Sequence, residues 1–277
     1  MQISIVTVGM NHLKYLKDLL SSIYTKGAIE ASFEVIYVDN CSSDGSVEYI
    51  SEAFPQVRII QNTSPKGFGE NNNVGAEVAA GKYLAIINPD IILFENSLDL
   101  LLAFAESYPN VGIVAPKLLN RDESYQYSVR RFITPWLFLS RAISKGDDAG
   151  KFKGNAYYLS KDIDIDKTQF INWAVGAAYF ISKDFYDDLN GFDQDYFLYM
   201  EDEDLCLRSW KRNRPVVYHP QATLIHNHMR SSKKIGKSMR YHFESLFTFW
   251  RKHGISLGDY ARSAEERGSS GNKFFNV

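Results

Sequence analysis

The feature that most constrains this chain is a repeating order. A short β-branched run is followed by an amphipathic stretch, and acids or amides stand where several of the runs stop. Ile3 to Val8 is a compact apolar run and predicts a buried strand. Leu13, Leu16, Leu19, Leu20 and Ile23 then share one helical face, with Asn11 placed to cap it. Phe33 to Val38 predicts a second strand that ends at Asp39-Asn40. Asp44-Gly45-Ser46 opens a short helix through Ile50, and Val57 to Ile60 is a third strand. Gly69 to Ala80 reads as a helix stopped by Gly81, and Tyr83 to Ile87 as a strand ending at Asn88-Pro89-Asp90. A helix around Leu98 to Ala105 and a strand at Val111 to Ala115 complete the first half. Strands alternating with helices imply an α/β fold with a mostly parallel central sheet flanked by helices. Ligands of such sheets gather at the carboxyl ends of strands, where Asp39, Asn40, Asn88 and Asp90 all stand.

The second half is less regular. Arg121 to Ile165 is polar and aromatic with weak periodicity and reads as a long loop, of the kind that serves as a lid. Order returns at Phe170 to Ile181, then comes a helix from Lys183 and a turn at Asn190-Gly191-Phe192. Glu201 to Arg212 reads as a helix with acids in its first turn and bases in its last. Val216 to Tyr218 and Thr223 to Ile225 read as short strands. Lys237 to His253 is an amphipathic helix with Met239, Phe243, Phe247 and Trp250 on one face, followed by a frayed tail. That helix can dock on the rest of the chain, on a second subunit as a homodimer, or on a membrane as a peripheral contact. Docking on protein is the favoured expectation.

Composition narrows the function classes. A net charge of -2 gives no support for nucleic-acid binding. Cys41 and Cys206 are too few and too far apart for a disulfide framework or a zinc site, and are expected to be reduced thiols. No apolar run approaches the length of a membrane span, and the N-terminus enters a strand at once. The expected setting is cytoplasmic, or peripheral at the inner face of the plasma membrane.

Four constellations can carry chemistry. The strongest is Glu201-Asp202-Glu203-Asp204 behind Tyr196, Phe197 and Tyr199. Like charges packed at a helix start raise the proton affinity of at least one carboxylate, which suits a general base; a solvated, charge-capped helix start accounts for the same run equally well. Asn88-Pro89-Asp90 can hold a divalent cation against a diphosphate, although taken alone it fits an Asx turn better. His226 and His228 alternate on an extended segment, so one of them can face a given site; each is more often structural than a ligand. Lys66-Gly67-Phe68-Gly69-Glu70-Asn71-Asn72-Asn73-Val74-Gly75 is glycine-rich, but follows neither the dinucleotide nor the P-loop spacing.

The ordered set resembles the family 2 glycosyltransferases. Its members are Ser4-Ile5-Val6-Thr7-Val8, Val38-Asp39-Asn40-Cys41-Ser42-Ser43-Asp44-Gly45-Ser46, the glycine-rich segment, Gly81-Lys82-Tyr83, Asn88-Pro89-Asp90, Gly176-Ala177-Ala178, Gly191-Phe192-Asp193 and Glu201 through Arg208. They cover most of residues 3 to 232, and the Asn-Pro-Asp and Glu-Asp-x-Asp-Leu-Cys forms look most like the rhamnosyltransferase branch. The resemblance implies a GT-A fold. It also implies an inverting, metal-assisted transfer of a sugar from a nucleotide-diphosphate donor to an acceptor hydroxyl, in bacterial surface polysaccharide synthesis, with dTDP-rhamnose as a candidate donor. The acceptor would be a saccharide, free or lipid-linked, and the cofactor Mn2+ or Mg2+.

By position, the resemblance gives Thr7 and Asp39 the donor base and ribose, with Asn40, Lys66, Gly67, Asn71 and Asn72 closing around them. Asn88 and Asp90 take the diphosphate, Asp90 and His226 the metal. Asp202 is the base, with Glu201 as the fallback, and Trp173, Gly176 and Ala177 line the acceptor side. Two departures stand out. Asn88 replaces the first of the usual paired aspartates, and the turn Val8-Gly9-Met10-Asn11 is longer than the compact form. The expected organisation is a catalytic domain over 1–235, with a donor half at 1–116 and an acceptor half at 117–235, and then a C-terminal helix and tail over 236–277. The alternatives are an inactive carbohydrate-binding relative and a sugar nucleotidyltransferase. The latter would be expected to carry an arginine-bearing glycine loop after its first strand, which this chain lacks.

Overall fold

The computed structural model describes residues 1–26, 29–144, 152–227 and 237–269. The alternating half forms as its periodicity requires. Strands β1 (Ile3–Gly9), β2 (Phe33–Asp39), β3 (Arg58–Gln61) and β4 (Tyr83–Ile87) pair in parallel in the order β3-β2-β1-β4. Between them run α1 (Leu13–Ser21), α2 (Ser46–Ala53) and α3 (Phe68–Glu77). After β5 (Ile91–Leu93) and α4 (Ser97–Ser107), β6 (Ile113–Leu119) enters the same sheet. Strand β10 (Ala178–Ser182) inserts antiparallel between β4 and β6, and β11 (Val216–His226) pairs parallel with β6. The sheet is continued by β5 and by β8 (Gln169–Ile171), each antiparallel to β11. One sheet therefore carries the ends of β1, β2, β4 and β11 along one border.

Glycine is required where α3 crosses that sheet. A Cβ on Gly75 would meet Val6 Cγ1 and, at 3.2 Å, Val38 Cγ2, both in the sheet beneath. The cap of α1 differs from expectation. Asn11 takes a left-handed φ of 58° and its side chain accepts from Ser43 N, while Leu13 N donates to Asp44 at 2.8 Å. A carboxylate from the next turn thus does the work expected of the local amide, and α1 continues into a π-helical turn at Ser22–Lys26.

Three further expectations are corrected. The stretch from Arg121 to Ile165 is not a bare loop. It holds β7 (Val129–Arg130), α5 (Pro135–Ile143) and α6 (Lys153–Tyr158), and β7 pairs with β9 (Trp173–Ala174). Pro135 stands at the first position of α5 and the Thr134 side chain caps it by accepting from Leu137 N, a start signal that the weak periodicity hid. The two short strands after 216 are one strand, β11, with a register shift between His219 and Thr223 around Pro220. The tail forms α10 (Tyr260–Ser269), tied by Ala261 N donating to Asn172.

After α7 (Lys183–Asp188) and α8 (Glu201–Lys211), helix α9 (Lys237–His253) docks on the body of the molecule. Leu246 and Phe249 are buried, Ser245 donates to the Leu198 carbonyl, and Trp250 Nε1 donates to the Ile133 carbonyl. Met239, Phe243 and Phe247 stay exposed. Most of the stripe that periodicity marked as the apolar face is therefore the outer one. Among the described residues no helix is long and apolar enough to cross a membrane.

Replacing Gly75 with alanine should force α3 off the sheet, costing about 1–3 kcal/mol. Thermal unfolding of Gly75→Ala should show a melting temperature lower by several degrees, and an unchanged value would refute the close approach.

Candidate active site

At the carboxyl end of β2, Asp39 is buried, and it accepts from the Tyr37 hydroxyl and from Ser42 N, each at 3.1 Å. Beside it Asn40 holds the Lys66 backbone from both sides. Its amide donates to Lys66 O at 3.0 Å and its carbonyl accepts Lys66 N at 2.8 Å. Asn71 donates to the carbonyls of Lys66 and Gly67, and Asn72 to that of Phe68. The glycine-rich segment is thereby a fixed rim held by amides. The side chains of Asn71 and Asn72 are spent on shaping it, and Lys66 Nζ pairs with Glu70 at 3.0 Å. The Thr7 hydroxyl is fully buried in β1 without a hydrogen-bond partner among the described residues.

The end of β4 lies across the border. Asn88 N donates to Ala177 O at 2.9 Å, and Asn227 N donates to Asp90 O. His226, buried at the end of β11, places Nε2 3.5 Å from Asp90 Oδ1, while its Nδ1 lies 2.7 Å from Gln126 Oε1. Gln126 donates its amide to Asn120, which identifies the oxygen facing the imidazole as the acceptor. The other ring nitrogen, Nε2, faces the Asp90 carboxylate. Two such groups 3.5 Å apart suit a shared divalent cation, and a hydrogen bond between Gln126 and Nδ1 is the usual support of a metal-ligating histidine. Among the described residues no group of three or more His, Cys, Asp or Glu side chains forms a metal site. A cation there would take its remaining ligands from donor phosphates and water, as magnesium sites commonly do. His228 lies outside the described residues.

The acidic cluster is aimed by its backbone. Tyr199 and Met200 both take left-handed φ values, 71° and 69°, immediately before α8. Two such residues in succession cost of order 1–3 kcal/mol each and are held where function or packing overrides them. The four acids then part ways. Asp204 is fully buried against Arg208 at 2.6 Å and His253 at 2.6 Å. Glu203 is buried and accepts from Ile133 N; its Oε2 has no partner among the described residues. Burial, with Asp202 and Asp204 adding to it, raises its proton affinity well above the usual carboxylate range. Glu201 is raised in the same way by burial and the neighbouring Asp202 charge. In both, burial favours the protonated form.

Asp202 is the least buried of the four. Its Oδ2 accepts from Gly176 N at 3.0 Å and its Oδ1 from Glu203 N at 2.9 Å. Burial raises its pKa, and those two N–H groups together with Arg130 pull the other way. Gly176 lies so close that a Cβ there would sit 3.0 Å from the Cβ of Asp202. Ala177, which accepts from Asn88 N, is the next residue. Trp173 is buried, with its indole N–H donating to Arg131 O, so it backs this segment from inside.

Sequence reasoning missed several contributors. Asn73 accepts from Phe192 N and the Tyr186 hydroxyl and donates to Phe192 O, locking α3 to the Gly191-Phe192 turn. Its place in a run of three asparagines gave no sign of which one does so. Arg130 acts on Asp202 from the stretch read as a loop. His12, whose imidazole burial pushes below its usual value, feels Asp90 and Asp44 in the opposite sense. It stands in the lengthened turn after the first strand, the one place where the departure from the family pattern pointed to it.

A family model described as Glycosyl transferase family 2 matches residues 4–166. Among curated proteins, the chain is 27% identical to rhamnosyltransferase WbbL of Escherichia coli (strain K12), covering 93% of this chain and 96% of that one. It is 26% identical to the N-acetylglucosaminyl-diphospho-decaprenol L-rhamnosyltransferase of Mycobacterium tuberculosis, covering 88% and 82%. Among solved structures, GalNAc-T7 with UDP, GalNAc and Mn2+ superposes with a TM-score of 0.66 at 15% identity, over all of this chain and 53% of that one. TarS of S. aureus with UDP-GlcNAc gives 0.62 at 15% identity, over 99% and 74%. These likenesses establish the GT-A fold.

Glu203 gives the site a pH signature. Its folded pKa is raised, so its contribution to stability is fully present below the unfolded value, about 4.3, and is lost as pH rises through the raised folded value. Glu203→Gln removes that loss. At neutral pH a gain of about 1 kcal/mol would raise the melting temperature by roughly 2–4 °C, and the gain should vanish near pH 4. A variant less stable than the parent at pH 8 would show that the carboxyl is ionised in the folded protein.

Proposed function

The chain belongs to glycosyl transferase family 2 and is a glycosyltransferase, and we propose that it moves L-rhamnose from dTDP-rhamnose to a hydroxyl of a polyprenyl-diphosphate-linked saccharide in bacterial surface polysaccharide synthesis. The sugar and the carrier follow the two curated relatives, matched over most of both chains. The family placement leaves the nucleotidyltransferase and inactive-relative readings without support.

One observation carries the mechanism. Asp202 is bonded to Gly176 N, and the adjacent Ala177 O is bonded to Asn88 N, two residues before Asp90. A single hydrogen-bonded segment links the carboxylate at the start of α8 to the strand end that carries Asp90, and in this reading both face one cleft. In this reading the rim of Asp39, Asn40, Lys66 and Gly67 receives the nucleoside, and Asp90 with Asn88 receives the diphosphate. Asp90 and His226 would hold the divalent cation. When bound, the cation neutralises charge that develops on the departing diphosphate.

Asp202 accepts the proton of the acceptor hydroxyl. Both its oxygens are anchored by backbone N–H groups, so the carboxylate is oriented before substrate arrives. The hydroxyl oxygen attacks the anomeric carbon from the face opposite the nucleotide, the bond to the diphosphate breaks, and the configuration inverts. Glu201 is buried, and burial favours its protonated form, so Asp202 is the better placed base.

Replacing Asp202 with alanine or asparagine should lower transfer by about 10²- to 10⁴-fold while leaving nucleotide binding intact. Asp90→Ala should weaken dTDP binding at matched magnesium. Thermal shift with dTDP, UDP and GDP, with and without metal, checks both. A ligand at ~100 times its dissociation constant adds about 2.7 kcal/mol. Near-full activity in Asp202→Ala would remove the base assignment, and a metal-dependent shift with UDP or GDP alone would remove the dTDP donor.

A further inference from the structure

Helices α5 and α9 expose more apolar surface than the fold can account for. Trp136, Leu139 and Ile143 recur along α5, and Met239, Phe243 and Phe247 along α9. All six are between 50% and 70% exposed, at spacings that place each trio on one helical face. The two stripes make one surface, because the Phe138 ring on α5 meets the Phe243 ring on α9 edge-on, with centroids 5.9 Å apart. Contiguous apolar surface of this kind marks an interaction face.

Between the same two helices lies an open cavity of about 210 Å³. Its floor is Ile133, Tyr158 and Met200, all buried, and its wall includes Arg141 and, at the exposed mouth, His242. The Arg141 guanidinium is held over the Tyr158 ring, 5.2 Å from its centroid, and donates to Asn155 Oδ1. The cavity is smaller than pockets that enclose a whole drug-sized ligand, roughly 300–1,000 Å³. Phe138, Ala142 and Leu246 complete a mostly apolar lining, in which Arg141 supplies the positive charge. The floor also adjoins the reacting centre: Met200 lies two residues before Asp202, and Ile133 N donates to Glu203.

We infer that this cavity receives the diphosphate of a prenyl-diphosphate-linked acceptor while the surrounding apolar stripes of α5 and α9 lie in the bilayer interface. The inference rests on the acceptor reading above and names where that acceptor binds. An acceptor whose lipid stays in the membrane must be met at the surface, since no described helix can cross. Aromatic and aliphatic side chains with Arg141 and Arg251 beside them suit an interfacial seat on anionic lipid, although Arg240, on the same helix as Arg251, is paired with Glu244 at 2.6 Å. A guanidinium fork suits diphosphate oxygens better than a second apolar helix face would.

The test uses the full chain with saturating dTDP and magnesium, so that the donor site is filled. Farnesyl diphosphate is the soluble probe, and phosphatidylglycerol–phosphatidylcholine vesicles are the membrane. The wild-type protein should bind farnesyl diphosphate calorimetrically and sediment with the vesicles. Arg141→Gln should weaken farnesyl diphosphate by about tenfold or more and still sediment, with Arg141→Lys partly restoring the affinity. The double variant Phe243→Glu, Phe247→Glu should lose sedimentation while keeping the dTDP-induced thermal shift. Farnesyl diphosphate binding that ignores Arg141 overturns the cavity assignment. Sedimentation that survives the glutamates, or a wild-type dimer that they split without any change on vesicles, overturns the membrane face. If instead the wild-type protein binds and sediments as stated but transfers no sugar to a prenyl-linked saccharide, the acceptor reading fails and the site stands.

Discussion

A carboxylate with no exposure to water must be neutralised by groups that are themselves held in place, and Asp204 imposes that demand on the elements around it. Arg208, one turn further along α8, meets it from below, and His253, at the far end of α9, meets it from the side. The same guanidinium donates to the carbonyls of Leu189 and Gly191. From that turn Phe192 reaches Asn73 in α3, the helix whose start forms the donor-side rim. One buried charge therefore sets α8 against the C-terminal helix and, through the turn, against the opposite wall of the cleft. The orientation of Asp202 depends on that arrangement, although Asp202 makes none of those contacts.

Four consecutive acids acquire different properties because a helix spreads consecutive residues around its axis. Asp204 points into a cationic interior, and Glu203 into an apolar one that supplies a single backbone donor. Glu201 is buried with one oxygen unpartnered among the described residues. Asp202 alone keeps access to the cleft with two backbone donors and a nearby guanidinium. Desolvation separates their proton affinities further. The cluster acts less as a pool of negative charge than as one partly exposed carboxylate on backbone donors, two buried acids of raised proton affinity and one ion pair. The two left-handed residues before α8 set the entry angle that makes this assignment.

The C-terminal helix is apolar in two directions. Leu246 and Phe249 are buried in the core, and Phe243 and Phe247 are exposed, with Phe243 against Phe138 of α5. Periodicity reports that a helix has an apolar stripe, not what the stripe meets. Here the more conspicuous stripe is the outer one, and the inner seat depends on hydrogen bonds from Ser245, Trp250 and His253 that no hydropathy pattern carries.

By itself the sequence determined the alternation of strands and helices in the first half, the carboxyl-end placement of Asp39, Asn88 and Asp90, and the helix that begins at Glu201. Those follow from local periodicity and from residue chemistry at element ends, and the family pattern added the order that joins them. Tertiary structure decided which acid of the cluster is available and which of three asparagines locks α3. It also seated His226 on Asp90 and turned Arg121 to Ile165 into a strand and two helices around a cavity. Each of those outcomes rests on a partner far away in the chain: Gln126 for His226, 100 residues off, or His253 for Asp204, 49 residues off. Burial and hydrogen-bond geometry are properties of such pairings, and a single chain read in order contains no term for them.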